Sequence, residues 1–473
     1  MSTSAFGALL QLESSPPIAN PAAAVHRDKH GLANASFDLE LNEVRHGSSP
    51  TSKTTKANSG IATPLTLTGV ENHSPAPDVA CLMNLGGGLN DSAPGALIPY
   101  IEEDYNIGYA VVSLIFVTNA LGFILAAPFT HALEAKLGRS KAYALSMAVL
   151  AAGYVIIVCK PPFPAIVASF FLLGFGLALQ LALNNVFCAN LVNSTTALGF
   201  LHGSYGIGGI IGPLIATALA SHGVQWSFFY CISLALALFN AALAAWTFRG
   251  YEKELPVQLL ATFQQSTSQQ DHDHGVASKT QSLKQAVKNR TTLLGALFIF
   301  AYQGAEVSIS GWVVSFLISS RDGNPSQVGY VSAGFWAGIT LGRFALSHPA
   351  HMIGEKLSVV LLVIGSVAFQ VMTWLIPNVI GDAVAVSIVG LLLGPVYPCA
   401  TAVFSKLLPR SMQMSSLSFI SALGSSGGAV SPFFTGLLAQ NVGTFVLHPI
   451  CIGLYGVMLT GWACHPRISK RSE

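Results

Sequence analysis

Residues 199–220 read GFLHGSYGIGGIIGPLIATALA, and residues 418–439 read SFISALGSSGGAVSPFFTGLLA. The two stretches align without a gap, placing Phe200, Gly208, Gly209 and Pro213 on Phe419, Gly427, Gly428 and Pro432. A second echo joins LGRSK (137–141) to IGEK (353–356). A chain that repeats itself at half its length is built from two similar halves. Both long stretches are apolar and rich in small residues. In lipid, helices associate through packing rather than hydrophobicity, and small residues let their backbones approach closely. Glycine combined with proline also lets a helix bend.

Composition agrees with a membrane setting. Of 473 residues, 52% are hydrophobic and only 9% charged, with mean hydropathy +0.56 and 45 glycines. Soluble domains carry about 25% charged residues. This is the composition of a polytopic membrane protein. A net charge of +2 gives no basic surface for nucleic acid. The seven cysteines are scattered and odd in number, which argues against a disulfide framework or zinc site. They read as small apolar filler.

Apolar segments of about 20 residues, each able to cross the bilayer as a helix, fall at 79–101, 108–132, 141–159, 163–187, 196–220, 225–248, 291–318, 328–347, 356–376, 380–405, 414–440 and 444–463. The expected fold is therefore an all-α membrane protein, twelve transmembrane helices in two pseudo-symmetric six-helix bundles. Residues 1–77 lack an apolar signal segment and read as a disordered N-terminal tail. The N-terminal bundle spans 78–248, a polar central loop 249–290, the C-terminal bundle 291–464, and a short tail 465–473. Only Lys160 and Arg321, of 23 Lys and Arg, fall in loops on the side away from the termini. Positive charge concentrates in the cytosol, so both termini and the central loop are expected there. Glu102, Glu103 and Asp104 then form an extracytoplasmic loop. The DHDH run (271–274) in the central loop reads as solvated rather than as a metal site.

Ionisable groups inside the bilayer cost about 2.5–3.5 kcal/mol on insertion scales, so they mark function. Asp91 lies near the middle of helix 1, within MNLGGGLNDSAPGAL (83–97), and Glu306 near the middle of helix 7. Both are candidate proton-coupling residues, because desolvation favours the neutral carboxyl and access to water or a cation releases the proton. Arg343 sits nearer the cytosolic end of helix 8 and reads as snorkelling to the interface, with a substrate or a carboxylate partner as the alternative. Gln303, Glu306 and Ser310 share one helical face, and Gln180 and Asn184 are four residues apart. With Asn90, His202, Tyr205, Tyr302, Trp336 and Tyr397 they form the candidate lining of a solute pathway. Amides and aromatics together suit a hydroxylated or ring-containing organic solute.

Over residues 78–465 the chain resembles the major facilitator superfamily of transporters. HALEAKLGRSK (131–141) is similar to the family's signature between helices 2 and 3. Lys136, Gly138, Arg139 and Lys141 fit it, whereas His131 and Ala135 stand where the family has Gly and Asp, with Glu134 one place early. Gly208-x-x-x-Gly212-Pro213 resembles the helix 5 signature of proton antiporters. GLNDSAPGALIPYIEEDYNI and GAEVSISGW look most like the fucose–proton symporter branch and its fungal relatives. That branch uses acids on helices 1 and 4; Asp91 fits the first, while helix 4 offers Gln180, Asn184 and Asn185.

The resemblance implies a monomeric, proton-coupled carrier without a cofactor, multi-pass in the plasma membrane or a vacuolar membrane. Two parallel halves would alternate access to a midplane site. The helix 5 signature leans toward export of a secondary metabolite, which is the favoured reading, and the branch resemblance toward sugar–proton symport for uptake, which is the alternative. A ligand sensor that transports nothing is a third reading. No nucleophile–base pair or phosphate loop points to an enzyme.

Overall fold

The computed structural model describes residues 76–189, 191, 194–249 and 288–465. All of these fall in one compact unit. Residues 1–75 and 466–473 of the expected tails, the DHDH run and most of the central loop lie outside the described residues, while Ala76 and Pro77 already belong to the first helix. Among the described residues the regular elements are all helical.

The twelve expected helices are present. The first half holds α1 (Ala76–Tyr105), α2 (Tyr109–Val112 and Leu114–Leu137, broken at Ser113), α3 (Arg139–Val158), α4 (Phe163–Ala189), α5 (Ser194–Ser221) and α6 (Phe229–Thr247). The second half holds α7 (Arg290–Arg321), α8 (Pro325–Val328 and Tyr330–Ala345, broken at Gly329), α9 (Glu355–Leu375), α10 (Val379–Leu393 and Val396–Leu407), α11 (Arg410–Val442) and α12 (Leu447–Ala463). A short helix, Ser347–Ile353, joins α8 to α9. Among the described residues, nine of the twelve are apolar and long enough to cross a membrane on those grounds alone; α1, α8 and α11 are not. Those three are rich in glycine and in serine or other polar residues. Outward faces show the reverse pattern, with Leu238, Phe239, Leu361 and Ile380 exposed where lipid would lie.

The halves repeat in three dimensions. Within each, the first helix packs on the fifth, the second on the fourth and the third on the sixth. Between them, α5 packs on α8 and α11 on α2, the exchange expected of a two-fold relation. Close approaches fix the register. A Cβ on Gly208 would sit 2.0 Å from the Leu85 carbonyl oxygen, and one on Gly427 would sit 2.0 Å from that of Phe300. Gly122 meets the Phe171 carbonyl as Gly338 meets that of Ser387, and Gly174 meets Asn119 as Gly390 meets Phe335. The echoed LGRSK and IGEK turns pivot on Gly138 and Gly354, whose φ angles of 77° and 108° favour glycine.

Register and repeat together locate the axis. Leu85 and Phe300 are equivalent, so Asp91 and Glu306, each six residues further on, are equivalent too. So are Gly95 and Ser310, and these two touch: a Cβ on Gly95 would lie 1.8 Å from the Ser310 carbonyl oxygen. α1 and α7 therefore cross on the pseudo-two-fold, with one acid a single helical turn before the crossing on each.

At the end remote from the termini the sequence expectation needs correction. Glu102, Glu103 and Asp104 are not a loop, because α1 runs on through Tyr105. The last turn is held by Asp104, which accepts from Lys160 Nζ at 2.6 Å and Trp226 Nε1 at 2.8 Å. Glu102 turns inward, with Oε1 buried and without a hydrogen-bond partner. Burial pushes its carboxyl up to about 8.

Two predictions follow from this packing. Gly208→Ala and Gly427→Ala should each lower the apparent Tm in detergent by several degrees, an overpacking cost of about 1–3 kcal/mol. Gly199→Ala, which meets nothing within 4 Å, should leave it unchanged. Folded Glu102 keeps a proton that the unfolded chain releases near its ordinary value of 4.5. Its contribution to stability therefore falls as pH rises between 4.5 and 8. Glu102→Gln should raise Tm at pH 8 and flatten the Tm–pH profile across that window.

Candidate functional site

A narrow cleft lies between the halves, beside the α1–α7 crossing. It is lined by Asn90, Asp91 and Pro94 of α1, Ile115, Phe116 and Asn119 of α2, Phe170 of α4, Val307 of α7 and Gly428 of α11. Of the residues expected to line a pathway only Asn90 lies on this cleft, together with Asp91, one of the two candidate proton-coupling acids. Asp91 Oδ2 accepts from Tyr205 Oη at 2.9 Å, and Asp91 Oδ1 from Asn90 Nδ2 at 3.2 Å. The Tyr205 ring meets that of Trp336 edge-on, centroids 6.1 Å apart, which ties α5 of one half to α8 of the other.

The equivalent acid has a different setting. Glu306 is fully buried and takes Tyr302 Oη and Arg343 Nη2 on Oε1, each at 3.4 Å. Tyr302 also donates to the Leu393 carbonyl at 3.2 Å and stacks at a tilt on Tyr397, 5.7 Å away. The snorkelling expected of Arg343 is therefore replaced by its alternative, a carboxylate partner. Its backbone is near the end of α8, but its long side chain reaches back along the helix to α7. Tyr205 lies within electrostatic reach of Asp91, Glu306 and Arg343 alike, and so does His202 of Arg343. The two acids thus belong to one charged and aromatic cluster that crosses the interface.

Other expected lining residues are placed off this cleft. Asn184 Nδ2 donates to the Ala80 carbonyl at 3.3 Å, three turns from Asp91, and so ties α4 to the start of α1. Ser310 Oγ donates to the Val307 carbonyl within α7. Gln180 and Gln303 are buried in the helix interior away from the cleft lining, although Gln303 stands close behind Gly428. Asn119 was missed: in the apolar run IFVTNALGF a single amide carries no periodic signal, and only the fold shows which side of α2 faces the cleft.

The motif residues also find places. Arg139 Nε donates to Glu134 Oε1 at 2.9 Å, and its guanidinium covers the Phe187 ring at 5.8 Å. Glu134, one place early in the signature, therefore supplies a carboxylate to Arg139. Lys136 is exposed. A Cβ on Gly212 would lie 2.4 Å from Ser92 Oγ, and Pro213 follows inside α5. All seven cysteines are free thiols.

Comparison with known proteins agrees with this architecture. The sequence profile of the Major Facilitator Superfamily matches residues 80–432. A yeast protein, "Bypass of stop codon protein 6" of Saccharomyces cerevisiae, is 27% identical over 416 residues, 84% of this chain and 83% of its own. A glucose/galactose transporter of Brucella abortus is 29% identical over 180 residues, 36% of this chain and 42% of its own. Among solved structures, a D-xylose–proton symporter superposes with TM-score 0.65 at 12% identity, covering 84% of this chain and 99% of that one. The nucleoside transporter NupG gives 0.65 at 14% identity, covering 81% and 98%. At these identities the structures establish the fold.

The Glu306–Arg343 contact predicts a specific pattern of stability. Removing one partner of a buried pair costs about 3–5 kcal/mol, whereas removing both costs far less. Glu306→Gln and Arg343→Gln should each lower Tm markedly, and the double variant should recover most of the loss. Additive losses in a thermal-unfolding series would show that the two side chains do not act as a pair.

Proposed function

Because the chain belongs to the Major Facilitator Superfamily, we propose that it is a proton-coupled secondary transporter that moves a small organic solute by alternating access, with Asp91 as the proton-exchanging acid. The observation that carries this reading is the place of Asp91. It lies on the cleft between the halves, one turn from the α1–α7 crossing, and is hydrogen-bonded to a tyrosine that contacts the opposite half. A carboxylate there is positioned to respond when the halves reorient, and its own protonation changes what it holds. Glu306 is the second candidate acid, engaged by Arg343 and Tyr302. The packed interface remote from the termini supports a state closed at one end: Tyr109 meets Trp312 edge-on, centroids 5.7 Å apart, and Gly436 abuts Ser113.

For the solute we favour the sugar class. The cleft combines amides, one carboxylate and two phenylalanines, and a partial relative is a glucose/galactose transporter. Export of a secondary metabolite rested on the Gly208–Pro213 stretch. In the fold Gly208 and Gly212 are accounted for by contact with α1, and Gly427 makes the twin of the Gly208 contact in the other half. Those contacts account for the glycines without invoking a direction of transport, and export by proton antiport is kept as the second reading because its signature is present. Both termini are proposed to face the cytosol.

Proteoliposomes with an imposed pH gradient test the coupling. For the wild type, labelled hexose should accumulate when the outside is acidic. Asp91→Asn should abolish accumulation while retaining exchange of hexose for hexose. Gradient-independent flux in the wild type would refute proton coupling, and gradient-driven loss of solute in exchange for protons would establish antiport.

A further inference from the structure

Asn119 is an amide whose Oδ1 lies close to Gly174 of α4 and whose Nδ2 donates to no partner among the described residues. It lies on the cleft-facing side of α2, one turn from Phe116. Among the described residues its side chain makes no hydrogen bond, and its Oδ1 is buried. Across the cleft, the 2%-exposed Asn90 commits Nδ2 to Asp91 but keeps Oδ1 buried and without a partner. Open amide groups at membrane depth are costly unless something satisfies them. Asn90 and Asn119 on one cleft, with phenylalanine walls at Phe116 and Phe170, form a polar and aromatic lining suited to a solute.

We infer that Asn119 is a specificity-determining residue of the solute site and hydrogen-bonds a hydroxyl of a neutral polyhydroxylated solute, with Asn90 Oδ1 accepting from a second hydroxyl. The inference rests on the transporter reading above and deepens it. A hydroxyl oxygen accepts from an amide N–H, which matches Asn119 Nδ2, whereas Asn119 Oδ1 is packed against Gly174 of α4. An ammonium only donates and would leave Asn119 Nδ2 unmatched. An anionic solute would meet the like charge of Asp91. A purely apolar solute would leave both amides unsatisfied.

Hexose exchange in proteoliposomes without a pH gradient tests this separately from coupling. D-glucose, D-galactose and D-xylose serve as probes, with Asn119→Leu and Asn119→Gln as variants. Asn119→Leu has nearly the same size and removes an unsatisfied polar group, so its Tm should be unchanged or higher. Its KM for exchange should rise about tenfold or more, with the maximal rate little changed. Asn119→Gln should recover part of the loss.

A lowered Tm with unchanged KM would make Asn119 a packing residue and overturn the inference. So would wild-type protein that exchanges none of the three sugars, or whose transport is displaced by a primary amine rather than by sugars. Normal sugar exchange that ignores a pH gradient would refute proton coupling and leave the role of Asn119 standing.

Discussion

A glycine pressed against a carbonyl oxygen is the contact on which the rest of this protein depends. Lipid gives apolar helices no reason to leave it for one another, so association must come from closeness. Where α5 crosses α1, Gly208 stands where any side chain would strike the Leu85 carbonyl, and Gly427 repeats this against Phe300. These contacts set the helix pairs and their register. Everything at the centre follows from that register: the meeting of Gly95 with Ser310, and the placing of Asp91 and Glu306 at equal distance from it.

The same contacts explain why so much of the fold was legible in the sequence. The glycines that permit close approach are the residues that align between 199–220 and 418–439, so the repeat was visible because the packing demanded it. Mean hydropathy alone was less informative. α1, α8 and α11 are not apolar enough to be recognised as spans, and all three carry small or polar residues where they contact other helices. Each was nevertheless read as one of the twelve segments of about 20 residues long enough to cross the bilayer.

The site was harder to read because it depends on which way single side chains turn. Asp91 and Asn90 were marked by the cost of polar groups inside a bilayer, and the cleft contains both. Asn184 carried the same signal yet is used to tie α4 to Ala80. Arg343 was misjudged because distance along a helix says nothing of reach: a residue close to the end of α8 can send its guanidinium back to α7. Glu102 to Asp104 read as a loop because they fall between the apolar segments 79–101 and 108–132, but Lys160 and Trp226 hold a further helical turn in place.

The scaffold is symmetric and the chemistry laid over it is not. Tyr205, which hydrogen-bonds Asp91, stands where the other half has Gly424. Tyr302, which bonds Glu306, stands where the first half has Gly87. Arg343 stands where α2 has Ala127, in the register set by the Gly122 and Gly338 contacts. Each acid thus has a tyrosine, supplied by the fifth helix in one half and by the acid's own helix in the other. Only Glu306 is matched at this position by a cation. A carrier built on two alike halves can exchange two mirror-related states at little cost in packing. It acquires a preferred task only if the groups at its centre differ. In this chain the difference is concentrated within one helical turn of the crossing, where one half presents a hydrogen-bonded carboxylate to the cleft and the other presents an ion pair.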